Sequence, residues 1–292
     1  MKTAVLTGGT GFLGFWLLKE LIKNNIFVHV LVRKNSKRRY KLNNISGIEI
    51  IELNMDEISD LSQYVKSADV FYHLAWEGGR NEFSDQVENI KYSVNAMETA
   101  KRLGVKQFIV TGSQAEYGAC SQTVDESCQP QPNTAYGMCK LATYNILKLY
   151  SEQINLPLTW VRVFSVYGGG DNDNTLISYL LRCFKNNEIL KLTSGTQMWD
   201  FLYAEDAAAA LYLLGQKGKD GVYNLASGES RPLKEFVIEA RDLISPNSKL
   251  NFDLKSSLNI ELRANIDKIK TVITLLISYI RILIEEKNHF EI

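Results

Sequence analysis

Tyr136 and Lys140 stand four residues apart in the segment Tyr136-Gly137-Met138-Cys139-Lys140. In a helix that spacing sets both side chains on one face, a turn apart. A free phenol titrates near about 10 and is a poor base at neutral pH. A lysine ammonium beside it favours the phenolate and lowers that value. The pair therefore suits proton transfer to or from a hydroxyl or carbonyl oxygen. Ser113, closing the apolar run that ends Thr111-Gly112-Ser113, offers a hydroxyl to hold the same oxygen. A tyrosine and a lysine at this spacing are also common on exposed helices, so their surroundings must decide between the two readings.

The first of those surroundings is a glycine turn. Thr7-Gly8-Gly9-Thr10-Gly11-Phe12-Leu13-Gly14 follows one short apolar run and opens a helical pattern. A pyrophosphate needs backbone N–H groups at close range, and residues without a Cβ allow that approach. Gly8 suits the tight turn, Gly11 the close contact and Gly14 the packing of helix on strand, while Phe12 and Leu13 bring the positive end of the helix dipole. A nicotinamide dinucleotide fits this cradle. The second apolar run ends Val32-Arg33-Lys34, with Arg38 and Arg39 nearby and no acid in the stretch. An acid there would bind the 2′-hydroxyl of NAD, whereas Arg33 can pair with a 2′-phosphate. The choice between NADP and NAD thus leans towards NADP, the alternative being that these are solvated surface charges.

The elements that must position these groups alternate regularly. Strands are expected at 2–7, 27–32, 48–53, 69–75, 107–111 and 158–164, and helices at 12–24, 60–66, 83–103 and 136–154. Such alternation implies a parallel sheet covered on both faces. The fold expected is α/β, a Rossmann-type doubly wound parallel sheet with a smaller C-terminal α/β substrate-binding region. Residues 1–165 make the dinucleotide-binding domain, to which the chain returns at about 199–226; 166–198 and 227–292 make the substrate-binding region. Between the parts, 168–174 reads as a flexible loop.

Composition narrows the function classes. Lys+Arg and Asp+Glu are both 33, a formal net charge of zero, which argues against a nucleic-acid partner. Four cysteines without a C-x-x-C pair read as free thiols, and three scattered histidines show no metal spacing. The apolar run 272–284, interrupted by Arg281, is too short to cross about 30 Å of hydrocarbon and reads as a core-facing helix. The expectation is a soluble, cytoplasmic protein with no metal and no membrane partner.

The chain resembles the extended short-chain dehydrogenase/reductase family, the NAD-dependent epimerase/dehydratase group. The resemblance rests on TGGTGFLG (7–14), HLAW (73–76), SVNAMETA (93–100), TGSQAEYG (111–118), YGMCK (136–140), RVFSVYG (162–168) and WDFLYAEDAA (199–208), in family order over about 1–230. It implies Tyr136 as general acid/base, Lys140 on the nicotinamide ribose, and Ser113 on the reacting oxygen. Leu74 and Ala75 would line the cofactor cleft, and Asn54 would stand where the family often has an adenine-binding aspartate. The substrate is implied to be a nucleotide sugar, approached by Trp76, Gln114 and Tyr167. Asp200-Phe201 would return the chain to the main sheet, with Asp206 on the following helix. Arg182 is available to the diphosphate and Trp199 to the base or sugar, though Arg182 reads more readily as surface charge and Trp199 as packing. Homodimers through the helices at 83–103 and 136–154 are further implied.

Within the family, 4,6-dehydratases carry an Asp-Glu pair where this chain has Gln114-Ala115, so dehydration ranks below C4 epimerisation and 4-keto reduction. Glu116 is one step later and would face away from Ala115 if the stretch is extended. A non-catalytic NADP-binding regulatory protein is the remaining alternative, disfavoured by the intact Ser113, Tyr136 and Lys140.

Overall fold

The structure, a computed structural model, describes residues 1–186, 188–254 and 261–273. Its order is β1 (Thr3–Thr7), α1 (Phe12–Lys23), β2 (Phe27–Val32), β3 (Ile48–Glu52), α2 (Leu61–Tyr64), β4 (Val70–His73), α3 (Phe83–Arg102), β5 (Gln107–Ser113), α4 (Ala135–Ile154) and β6 (Leu158–Val163). There follow β7 (Ser165–Tyr167), α5 (Leu176–Asn186), β8 (Leu190–Thr193), β9 (Met198–Trp199), β10 (Phe201–Tyr203), α6 (Ala204–Lys217), β11 (Gly221–Leu225), β12 (Arg231–Pro232), α7 (Leu233–Ile244), β13 (Leu250–Leu254) and α8 (Asp267–Val272).

Seven parallel strands form the central sheet in the order β3-β2-β1-β4-β5-β6-β11. Strand order reverses between β1 and β4, and the crevice outside the strand ends at such a point is where open α/β sheets take ligands. Both faces are covered, which explains the unbroken apolar runs. Successive side chains go to opposite sides: Ala4 and Leu6 of β1 join the core under α1 and α6, while Val5 joins the core under α3 and α4. Tyr72 and Phe71 divide in the same way on β4, as do Ile109 and Phe108 on β5. A separate small core of Leu180, Cys183, Phe184, Leu190, Val237 and Ala240 joins α5, β8 and α7, and β13 pairs with β8.

Three details differ from the sequence expectation. The helix at 60–66 is a 3-10 turn over Met55–Asp60 followed by the short α2, which ends where Val65 turns extended. Phe201–Tyr203 pairs with Ser165–Tyr167 in a two-stranded sheet of its own, and the strand that returns to the main sheet is β11. Gln114–Glu116 is a 3-10 turn, not extended chain. Asp206 does lie on α6, in its first turn. Apart from its first two residues, the run 272–284 lies outside the described residues. All four cysteines are free thiols. Among the described residues no helix is long and apolar enough to cross a membrane.

Asp69 fastens the chain start to the sheet. Its carboxylate accepts the backbone N–H of Lys2 at 2.6 Å and of Thr3 at 3.2 Å, with Lys106 Nζ at 3.3 Å. These donors, led by the Lys2 N–H, hold its pKa at about 2 against the ordinary 3.8. A depressed folded-state value stabilises above the unfolded pKa and is lost as pH falls through the folded one. Asp69→Asn is expected to cost about 1–2 kcal/mol at neutral pH. Urea titrations should show the gap between variant and parent closing as pH falls from about 4 to about 2.

Candidate active site

The glycine turn is built as a tight cradle. Gly8 has φ +77°, and a Cβ there would lie 2.8 Å from Ala75 N. A Cβ on Gly14 would lie 2.1 Å from the carbonyl oxygen of Gly8, so α1 can approach the turn only as glycine. A Cβ on Gly11 would meet nothing closer than the Gly8 carbonyl at 3.1 Å, which leaves its other side open. Gly11 caps α1 with no side-chain hydrogen bond to the first-turn N–H groups. Those free N–H groups and the open side of Gly11 fit a diphosphate.

A cleft of about 1030 Å³ runs from this turn, lined by Gly8, Gly11, Arg33, Asn54, Leu74 and Ala75 among others. Phe12 and Leu13 form the first turn of α1 beside it, and Gly14 is buried behind. Arg33 meets an acid that no local reading could supply: its Nη1 lies 3.0 Å from Glu77 Oε1, brought in by the loop after β4. Asn54 is partly engaged, its Oδ1 accepting the N–H of Lys34 at 3.2 Å. Behind the cleft His73 has a fixed tautomer. Ser93 donates to the Asn89 carbonyl, so its oxygen takes the His73 Nε2 proton at 3.1 Å, and His73 Nδ1 accepts from Thr7 Oγ1 at 2.9 Å. Burial, reinforced by the charge of Lys140, lowers His73 to about 3 and keeps it neutral. Thr7 Oγ1 in turn accepts the N–H of Ala75 at 3.2 Å, which sets the cleft wall.

A second cavity, of about 670 Å³, opens across the sheet end and is lined by Arg80, Ser113, Gln114, Tyr136, Tyr167 and Trp199 among others. Tyr136 enters from the first turn of α4, whose Thr134 cap accepts the N–H of Gly137 at 3.1 Å. Ser113 ends β5; its Oγ accepts the N–H of Ala115 at 3.2 Å, leaving its proton to give. Tyr167 meets Phe201 edge-on and Tyr203 at a tilt, and Trp199 packs tilted against Phe201. Arg182 is not among the lining residues; its guanidinium lies over the Tyr179 ring. Trp76 lines the cleft at the glycine turn and not the second cavity, with its ring edge-on to Tyr136.

Lys140 Nζ lies 5.8 Å from the Tyr136 ring centroid, a turn along α4. It donates to the Thr111 carbonyl at 2.7 Å and lies 3.6 Å from the Trp76 ring centroid. Burial brings it down to about 7, opposed by the charge of Glu116. Tyr136 is raised, chiefly by burial; a hydrogen bond with Ser113 and the charge of Arg80 pull it down, and Glu116 pushes it up. Glu116 is fully buried beneath them. Its carboxylate accepts Ser113 N–H at 2.8 Å, Trp160 Nε1 at 3.0 Å and Arg162 Nε at 2.8 Å.

Arg80, Glu77 and Glu116 are the participants that the sequence reading missed. The first two belong to the loop Glu77-Gly78-Gly79-Arg80, whose contacts with Tyr136 and Arg33 are distant in sequence. The third, Glu116, is read in the sequence only as an acid facing away from Ala115, and the 3-10 turn points its carboxylate at Ser113 N, Trp160 and Arg162.

Residues 4–226 match the family model described as NAD dependent epimerase/dehydratase family. The chain is 25% identical over 255 residues to dTDP-6-deoxy-L-talose 4-dehydrogenase (NAD(+)) of Aggregatibacter actinomycetemcomitans, covering 83% of this chain and 92% of that one. It is 28% identical over 268 residues to CDP-abequose synthase of Salmonella muenchen, covering 86% and 84%. Among solved structures, UDP-glucuronic acid 4-epimerase from Bacillus cereus in complex with NAD superposes with a TM-score of 0.82 at 25% identity, over 95% and 92% of the chains. UDP-N-acetylglucosamine 4-epimerase from Methanobrevibacter ruminantium M1 superposes with a TM-score of 0.89 at 22% identity, over 100% and 99%.

Proposed function

The chain belongs to the NAD-dependent epimerase/dehydratase family, and from that premise we propose that it transfers hydride at C4 of a nucleotide-linked sugar, as a 4-keto reductase. The observation that carries this reading is the placing of Tyr136 and Ser113 in the substrate-side cavity, with Lys140 behind them and the glycine cleft alongside. A bound nicotinamide supplies the hydride. Tyr136 gives its proton to the C4 carbonyl oxygen as the sugar is reduced, and takes it back in the reverse direction. Ser113 Oγ, which accepts the Ala115 N–H and keeps its own proton, donates to the same oxygen. Lys140 would hold the nicotinamide ribose. Gly8, Gly11, Phe12, Leu13 and Gly14 would hold the diphosphate, Leu74 and Ala75 the cleft wall, and Asn54 the adenine. Gln114, Tyr167 and Trp199 would contact the sugar nucleotide.

Carbon 4 is supported by the relatives, since both the dehydrogenase and the epimerases are named for that position. Dehydration is disfavoured because Gln114 and Ala115 cannot exchange protons, which leaves Asp171 as the carboxylate among the lining residues. NADP is favoured by Lys37 and Arg38, which join Arg33 at the same end of the cleft. C4 epimerisation with NAD is the second reading, favoured by the likeness to the UDP-glucuronic acid 4-epimerase solved with NAD. Exposed Phe83 and Val87 on α3, with Met138, Ile146 and Leu149 on α4, support a homodimer.

Two incubations of the purified protein test the assignment. With dTDP-4-keto-6-deoxyglucose, a reductase consumes added NADPH or NADH in step with sugar reduced. Arg33→Ala should then lower the preference for NADPH. With UDP-glucose or UDP-N-acetylglucosamine and no added dinucleotide, C4 inversion would replace the reductase by the epimerase. Inactivity in both, with a folded protein that binds dinucleotide, would return the chain to the binding-protein alternative.

A further inference from the structure

We propose that Arg80 is a positioning residue for Tyr136: its guanidinium, set over the phenol ring in the substrate-side cavity, holds the ring in place and favours its deprotonated form. The proposal rests on the reading of Tyr136 as acid/base. The guanidinium carbon lies 5.0 Å from the ring centroid, and the Arg80 carbonyl accepts the N–H of Tyr136 at 3.0 Å. One residue thus satisfies a first-turn N–H of α4 and covers the face of the side chain that starts there. A cation over an aromatic face is attracted to its electron density, and a phenolate ring is richer in electrons than a phenol.

The loop that delivers Arg80 is anchored by buried polar groups. Gln86, fully buried on α3, accepts from Trp76 Nε1 at 2.7 Å and donates to the carbonyls of Gly79 at 3.0 Å and Glu77 at 3.2 Å. Asn89, also buried, donates to the Glu77 carbonyl at 3.0 Å. Burying amides costs free energy unless their hydrogen bonds are made, and here they are made to a loop whose tip is exposed. Arg33, Arg39 and Arg162 each hold a carboxylate, whereas Arg80 is in none of the ion pairs of the described residues. Arg80 is exposed, and its guanidinium is shared between solvent, the Tyr136 ring and the cavity it lines.

The other charged or titratable groups around Tyr136 are accounted for by element. Glu116 lies beneath, on the turn after β5, and opposes ionisation of the phenol. Lys140 lies a turn along α4 with its Nζ 5.8 Å from the ring centroid, committed to the Thr111 carbonyl, and neutral His73 of β4 is within its field. Asp171 lines the same cavity from the loop after β7. Arg80 is the cation on the cavity side.

The test places a ring-fluorinated tyrosine at position 136 of the full chain and follows its fluorine resonance against pH, without ligand. The Arg80→Gln chain is expected to titrate at higher pH than the parent, and Arg80→Lys close to it. An unmoved midpoint in Arg80→Gln, or an equal rise in both variants, overturns the proposal. Turnover of Tyr136→Phe tests the acid/base reading separately, so either idea can fail alone.

Discussion

Phenylalanine at position 136 is expected to lower turnover by roughly 10²–10⁴-fold, the contribution typical of a positioned acid/base. The dinucleotide affinity should barely change. The substitution removes one oxygen from the substrate-side cavity, while the glycine turn, Arg33, Asn54, Leu74 and Ala75 lie along the other cleft. Packing should also survive, because the ring keeps its contacts with Trp76 and with the Arg80 guanidinium. Calorimetric titration with NADH and NADPH, beside turnover on the keto sugar, separates the two effects. A variant that turns over at the parent rate would mean that another group moves the proton. A variant that loses dinucleotide and turnover together would mean that the phenol has a structural part.

The largest loss of stability is expected at Glu116. Its partner Arg162 is 3% exposed and Glu116 itself is 0% exposed, so both charges have left water. Arg162 also donates to Tyr117 Oη at 2.9 Å, and Tyr117 donates to Asn224 Oδ1 at 2.7 Å. Asn224 holds the carbonyls of Val124 and Asn265. Glu116→Ala strands the guanidinium and the Trp160 N–H and should cost about 3–5 kcal/mol, the usual result of breaking a buried pair from one side. Removing both charges, as Glu116→Leu with Arg162→Met, should cost less than the single change. Denaturant midpoints measure both variants. A single-variant loss below about 1 kcal/mol would show the pair to be worth no more than a surface bridge.

The parts of the fold written in local periodicity were legible. β2 runs over Phe27–Val32 as expected, and α1, α3 and α4 begin and end within a residue or two of their apolar patterns. The glycine turn was legible because its three roles are steric and each has a fixed place after a strand. Tyr136, Lys140 and Ser113 were legible as a group, but the electrostatics between them were not. Four-residue spacing brings Lys140 near the phenol, yet its ammonium turns to a carbonyl of β5 under the ring of Trp76. Position 76 read as bulk near substrate, and its place between the two cavities depends on Gln86, ten residues on. Arg33 read as unopposed because Glu77 is distant in sequence and close in space. Residues 60–66 carried a helical pattern, but the preceding turn over Met55–Asp60 absorbs its start and an extended Val65 ends it.

The crossing between β1 and β4 has a consequence for the order in which the molecule is made. The residues lining the dinucleotide cleft run from Gly8 to Tyr92, whereas those lining the other cavity run from Arg80 to Leu233. Synthesis proceeds from the N-terminus, and domains form as they leave the ribosome. The nascent chain therefore carries every wall of the first chamber before β5 has emerged, and closes the second only once Leu233 has followed.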